Sequence, residues 1–374
     1  MSGAVSRRVW GAALTLAILL LPALVGGVGI DQPPRLGEPE ALARALEAPS
    51  ADAVGSALVS YYGAAVPRDA IKAGAPASRE LLPQARRAAV LGLLVVTGLL
   101  YLTVLMTRGR LTALFACLAL AALPPAGADG YVLRAATPVA AFGGLATLVL
   151  MGFPVLIAQH RGLRRLLVAA VSALAVGAGL GLAVACGPRA GIYLLVPGFG
   201  LLLALAVTLL LGARAVRRCP GRPVPTVAMQ SRVLPWVVLT VIVLGAAGGV
   251  SSVAMGGTAP FDGVVCERLL PHSAWLQVPL IALAGLGALR LVLAVGAHMG
   301  RRARVTPAAL LVFYVGALIL QRGCGGGDVD ALLAAPALSI MVAEGALVTL
   351  YMAARALCPA AAREDSPSTP GAGG

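Results

Sequence analysis

The sequence predicts an all-α, polytopic integral membrane protein with about ten transmembrane helices and both termini in the cytoplasm. Three observations lead to this fold class. Hydrophobic residues make up 59% of the 374 residues and charged residues 12%, whereas soluble domains have about 45–50% apolar and about 25% charged residues. The apolar residues form continuous runs of roughly 20 residues, the length with which a helix crosses a bilayer. Arginines accumulate on one side of the resulting topology, as they do in cytoplasmic loops.

The ten apolar runs are each long enough for one crossing, and most are bounded by charged residues, glycine or proline. Continuous apolar runs favour helices, because a strand of a membrane barrel alternates polar and apolar residues. Several runs are short or rich in glycine, so nine or eleven crossings fit the sequence as well. The ten are 9–30, 88–106, 111–127, 137–158, 166–186, 191–212, 233–255, 275–297, 305–321 and 331–353.

The first span, within residues 1–30, has two interpretations. Arg7 and Arg8 precede a leucine-rich core that ends in a glycine-rich stretch, a pattern that secretory signal peptides also show. No clear small-x-small cleavage site follows the core, which favours a retained helix. Both interpretations place residues 31–87 outside, so the later topology is the same.

The external or lumenal segment 31–87 is the longest region between predicted spans, and it contains seven basic and seven acidic residues. Its middle, residues 51–66, is apolar enough to lie on the membrane surface, but a mostly flexible loop with one helix is the preferred interpretation. No loop is long enough for a folded catalytic domain. The remaining parts are helices two to six at 88–212, a basic cytoplasmic loop at 213–232, helices seven to ten at 233–353, and a disordered cytoplasmic tail at 354–374.

Orientation follows from the distribution of charge between the spans. One side carries 17 basic and two acidic residues, and the other side carries 11 basic and 12 acidic residues. Because basic residues are retained in the cytoplasm, the first side is predicted to be cytoplasmic. The arginines sit in short loops between apolar spans, so the net charge of +14 reflects topology and does not indicate nucleic-acid binding.

Arg290 and Glu344 are the two charged residues that the predicted spans enclose. A charge near the middle of a bilayer costs about 2.5–3.5 kcal/mol even on the lenient insertion scale, and both residues are predicted at similar depth. We expect an intramembrane ion pair. In the structural interpretation, the pair only stabilises the helix bundle. Alternatively, Arg290 extends to the cytoplasmic surface and Glu344 is protonated. In the functional interpretation, the pair is a proton or substrate relay.

No motif meets the geometric requirements of catalysis, and no catalytic, cofactor or metal site is predicted. His160, His272 and His298 lie in or beside loops, without the His-Glu-x-x-His spacing of a zinc hydrolase. Residues 325–328 read Gly-Gly-Gly-Asp, as in intramembrane aspartyl proteases, but no other span supplies the second aspartate. The pair Asp328 and Asp330 is a very weak metal-binding signal, and a flexible glycine turn is the preferred interpretation.

The cysteines offer two modification hypotheses. Cys219 and Cys358 are predicted to be cytoplasmic and close to spans and arginines, which makes them palmitoylation candidates, although free thiols fit as well. Cys266 and Cys324 are predicted in outer loops, where an oxidising compartment would permit a disulfide.

A resemblance to a known family rests on short motifs around two of these cysteines. Residues 217–223 (Arg-Arg-Cys-Pro-Gly-Arg-Pro) lie between spans six and seven, and residues 357–359 (Leu-Cys-Pro) follow the last span. With about ten spans, no asparagine for glycosylation and a composition typical of G/C-rich genomes, the chain resembles the multi-spanning envelope membrane proteins of alphaherpesviruses. Its central loop is shorter than the Pro-rich loop of that family.

The resemblance implies a non-enzymatic, multi-pass accessory protein of the virion envelope and host secretory-pathway membranes, which modulates membrane fusion or envelope glycoprotein traffic. Its expected partners are the lipid bilayer and other envelope membrane proteins, with no cofactor. The alternative is a secondary transporter or permease with Arg290 and Glu344 on its pathway.

Overall fold

The computed structural model describes residues 2–33, 38, 42, 78–159, 162–186, 267–298, 311–312, 314–320, 322 and 330–357. All regular secondary structure in these residues is helical, which confirms the predicted all-α class. Five helices contain apolar stretches of at least 18 residues, long enough to cross a membrane. The chain is an integral, multi-pass membrane protein.

Seven helices with defined bounds lie in the described residues, and residues 314–320 are helical as well. The predicted spans at 191–212 and 233–255 lie outside the described residues, so the count of ten crossings stays a prediction. The seven are α1 (Ser2–Gly27), α2 (Ser78–Thr107), α3 (Arg110–Ala122), α4 (Ala136–Gln159), α5 (Gly162–Cys186), α6 (Ala274–His298) and α7 (Ala331–Leu357).

Helix α2 begins ten residues before the predicted span at 88–106. Arg86 and Arg87 lie just before that apolar window, so a reading of hydropathy assigns them to the external segment. The structure continues the helix through both residues, with Arg86 buried and Arg87 exposed. Burial is possible because Arg86 forms an ion pair with Glu38, which removes the penalty of an uncompensated charge.

Helix α3 ends at Ala122, five residues before the end of the predicted span at 111–127. Leu123 precedes a Pro-Pro pair and has extended backbone angles of φ −81° and ψ 134°, because a proline disfavours the helical region for the residue before it. Residues 123–135 then form a loop most of whose side chains are buried.

Helix α7 is at the centre of the described bundle, and α1 is at its edge. In α7, 78% of the apolar window is buried, against 11% in α1. α7 packs against α3 and α6, while α4 packs against α2 and α5. Most of the buried hydrophobic residues of α2, α3 and α7 belong to one hydrophobic core.

Helices α6 and α7 approach each other closely at two glycines. A Cβ atom at Gly287 of α6 would overlap the carbonyl oxygen of Met341, and one at Gly345 of α7 would overlap the carbonyl oxygen of Leu283. Small residues permit such contact between the backbones of membrane helices. At Gly285, which is on the same helix as Gly287, an added Cβ atom would meet no atom within 4 Å.

The outer surface of the bundle is apolar, as expected for contact with lipid. Large exposed side chains on α1, α5 and α6 include Leu14, Leu174 and Leu289. Trp10 near the start of α1 and Trp275 at the start of α6 are both exposed, and tryptophan commonly lies at membrane–water interfaces.

Candidate functional site

The first concentration of polar groups surrounds Arg86, near the start of α2. Its guanidinium contacts Glu38 through Nη2 at 2.7 Å and Nε at 3.1 Å, and both side chains are buried. It also lies over the ring of Tyr131, with 4.9 Å from Cζ to the ring centroid. Tyr131 donates a 2.7 Å hydrogen bond to the side chain of Gln32. We call Arg86, Glu38, Tyr131 and Gln32 the Arg86 cluster.

Arg86 also holds the backbone that follows α1. Its Nη1 donates to the carbonyl of Ile30 at 2.8 Å and to that of Gln32 at 2.6 Å, and Nη2 reaches the carbonyl of Pro33 at 3.4 Å. Asp31 lies between the first two carbonyls, and its side chain is exposed. The Arg86 cluster therefore fixes the backbone on both sides of Asp31, whose carboxylate is exposed just after the end of α1.

A second buried arginine supports the neighbouring loop. Arg134 donates through Nη2 to the carbonyls of Pro125 at 2.5 Å and Asp129 at 2.6 Å. Its Nη1 lies 3.4 Å from Oδ1 of Asp330, and the same oxygen accepts a 2.8 Å hydrogen bond from the amide of Leu332. Asp330 thus caps the start of α7. Buried loops need such partners for their backbone groups.

The two arginine sites are joined through Glu38. Besides binding Arg86, Oε1 of Glu38 accepts a 3.1 Å hydrogen bond from the amide of Leu133, the residue before Arg134. The segment after α1, the start of α2 and the buried loop therefore form one hydrogen-bonded unit at this end of the bundle.

The opposite end of the bundle contains Glu344, which is buried in α7. Arg290 of α6 lies beside it, with 3.2 Å between Nε and Oε2. Arg108, directly after α2, contacts the same carboxylate through Nε to Oε1, and through Nη2 to Oε2 at 2.9 Å. We call these three residues the Glu344 cluster. The predicted pair of charges is thus part of a group of three, and its role in a relay stays a prediction.

Other residues singled out from the sequence lie away from these clusters or outside the described residues. His272 is exposed beside Arg268. Cys117 and Cys186 are buried free thiols. The predicted disulfide of Cys266 with Cys324 lies outside the described residues, as do the palmitoylation candidates Cys219 and Cys358, the residues His160 and Asp328, the loop 213–232 and the tail after Leu357.

Sequence reasoning missed Arg86, Arg134 and Arg108 because hydropathy assigned all three to water-exposed connections. No spacing indicates their partners: Arg86 and Glu38 are 48 positions apart, and Arg108 and Glu344 are 236 apart. In the described residues no group of three or more metal-ligating side chains occurs.

Comparisons with known proteins give a distant likeness to a solved structure. No family model matches the chain, and no curated protein matches it. The solved structure of ArnT from Cupriavidus metallidurans, bound to undecaprenyl phosphate, is similar with a TM-score of 0.46 and 18% sequence identity. The alignment covers 90% of this chain and 60% of the ArnT chain, so the chain matches less than two thirds of that protein.

This finding corrects the expectation of a non-enzymatic envelope accessory protein. The structure found is that of a membrane glycosyltransferase, and the findings support neither a viral envelope role nor the alternative transporter. The sequence-based expectation rested on the absence of known linear motifs, and such motifs do not show side chains that only packing brings together. The likeness is too distant to assign an activity, a substrate or a site residue to this chain.

Proposed function

We propose that this chain is a membrane-embedded enzyme that acts on an amphipathic lipid at the membrane surface, with Asp31 as the carboxylate that touches the substrate. The proposal rests on the hydrogen bonds that Arg86 donates to the carbonyls of Ile30 and Gln32, on either side of Asp31. Reacting groups need such fixed positions, which buried hydrogen-bonded neighbours provide. The likeness to ArnT carries no part of this argument.

The surroundings of Asp31 indicate the kind of substrate. Leu24 and Val28, just before it in the chain, are exposed apolar side chains, and little of α1 is buried. A lipid lying along α1 would have its acyl chain beside these residues and its polar end near Asp31. There the carboxylate can accept a proton from a hydroxyl nucleophile or bind a cation that accompanies a phosphate.

Asp31→Asn is expected to lower turnover of the lipid substrate by at least about 100-fold, the lower end of general-base contributions. The purified protein is reconstituted in liposomes of total host lipid, with and without added undecaprenyl phosphate. It is then incubated with the water-soluble metabolites of the host, and the lipids are profiled by mass spectrometry over time. Wild-type protein should generate a new lipid species.

Glu267→Gln is the matched control, because Glu267 is another exposed carboxylate, in the segment that precedes α6. It should leave the rate unchanged. Equal rates for Asp31→Asn and wild type would remove Asp31 from the reaction. The absence of any lipid product from the wild type under all lipid compositions would contradict the enzymatic proposal itself.

We further propose the full topology that the charge distribution predicts: ten crossings with both termini in the cytoplasm. The arginines after α2 and at the start of α5 lie at one end of the bundle, which supports this orientation. Reporter domains fused after Arg110, Arg165, Arg222 and Arg304 should all report the cytoplasm. Two or more reporting the opposite side would break the topology.

Membership of the alphaherpesvirus envelope family stays a prediction, which the source genome of the chain would test.

A further inference from the structure

We propose that the Glu344 cluster binds the phosphate of an anionic phospholipid. This site lies at the opposite end of the bundle from Asp31 and is independent of the proposed catalytic role. Its contacts come from three helical regions: the end of α2, the second half of α6 and the middle of α7.

The first reason is an imbalance of charge. Among the described residues the cluster contains two guanidinium groups and one carboxylate. Both oxygens of Glu344 are already engaged, Oε1 by Arg108, and Oε2 by Arg108 at 2.9 Å and by Arg290 at 3.2 Å. One positive charge remains uncompensated within the cluster. Because charges are costly at membrane depth, an additional anion would stabilise this arrangement.

The second reason is the exposure of Arg290. Its side chain is 41% exposed, against 12% for Arg108 and 1% for Glu344. Nε contacts the carboxylate, and Nη1 lies 3.4 Å from the carbonyl of Glu344. Nη2 makes no hydrogen bond within the described residues. A guanidinium has five N–H donors, so Arg290 retains donors for a ligand on the outer surface of the bundle.

The third reason is depth. Arg108 directly follows the last residue of α2, so this side of the cluster lies at the end of a membrane helix. Arg290 lies eight residues before His298 at the end of α6, about 12 Å along the axis, and a long side chain reaches toward the interface. Leu289 and Leu293 beside it on α6 are exposed apolar residues. A phospholipid has the matching arrangement of phosphate above acyl chains.

Phosphate is the anion best suited to these donors. Arginine binds phosphate oxygens through paired N–H groups, and this pairing is stronger and more directional than a contact with lysine. The cluster should therefore prefer a lipid with net negative charge, such as phosphatidylglycerol, over phosphatidylcholine with the same acyl chains.

The test is native mass spectrometry of the full-length protein released from nanodiscs of matched phosphatidylglycerol and phosphatidylcholine. Wild-type protein is expected to retain one phosphatidylglycerol with at least about tenfold preference, the factor that 1.4 kcal/mol represents. Arg290→Gln should reduce this preference to below about twofold. The variant keeps the contact of Arg108 with Glu344, so its fold is expected to persist, which thermal unfolding in detergent checks.

Arg355→Gln is the matched control, since Arg355 is an exposed basic residue in the last turn of α7. It should leave the preference unchanged. Equal losses for Arg290→Gln and Arg355→Gln would reduce the effect to general surface charge and overturn the site. Equal retention of both lipids by the wild type would also overturn it. Displacement of the lipid by millimolar inorganic phosphate would assign the site to free phosphate and contradict the lipid assignment.

Discussion

Arg86→Met is expected to destabilise the protein by about 3–5 kcal/mol, the cost of leaving one member of a buried ion pair without its partner. The buried carboxylate of Glu38 would lose its counter-ion. The carbonyls of Ile30 and Gln32 would lose their donor as well. Thermal unfolding of the purified protein in detergent, with the amount of folded protein in the membrane, measures the effect.

Arg87→Met is the control, because Arg87 is the neighbouring arginine of α2 and is exposed. Its effect should stay within about 0.5 kcal/mol, as for most surface substitutions. The double variant Arg86→Met with Glu38→Met should be less destabilised than the sum of the two single variants, since no buried charge remains unpaired. Strictly additive losses would show that the two side chains do not interact.

Gly287→Ala is expected to destabilise the protein by about 3 kcal/mol, the upper end of the usual cost of overpacking. The added Cβ atom would overlap the carbonyl oxygen of Met341. That oxygen belongs to the backbone of α7, so relief requires a shift of the whole helix. Because α6 and α7 carry two members of the Glu344 cluster, the shift should also separate Arg290 from Glu344.

Gly285→Ala provides the comparison on the same helix, since a Cβ atom there meets nothing within 4 Å. It should be neutral in the unfolding measurement. If both alanine variants unfolded at the wild-type temperature, the close approach of α6 to α7 would be contradicted. If both were destabilised equally, the effect would come from α6 itself and not from the helix contact.

The membrane class and the helical secondary structure are properties of the sequence alone. A chain with 59% hydrophobic and 12% charged residues has too few polar side chains to form the surface of a water-soluble protein. Once it lies in a bilayer, continuous apolar runs must satisfy their backbone hydrogen bonds internally, which helices do. The early end of α3 is also local, because Pro124 excludes Leu123 from the helix. These outcomes depend on neighbours along the chain.

The tertiary structure alone decided which charges are buried and with whom. Hydropathy places Arg86, Arg108 and Arg134 in exposed connections between the spans. In the structure each contacts an acidic residue far away in the chain, and the separations are 48, 236 and 196 positions, respectively. The physical reason is that hydropathy adds up contributions from adjacent residues, whereas the cost of a buried charge depends on the partner that packing brings to it. Helix contacts brought Arg108 and Arg290 to the carboxylate of Glu344. At the opposite end of the bundle, the buried Arg86 binds the carbonyls on either side of Asp31.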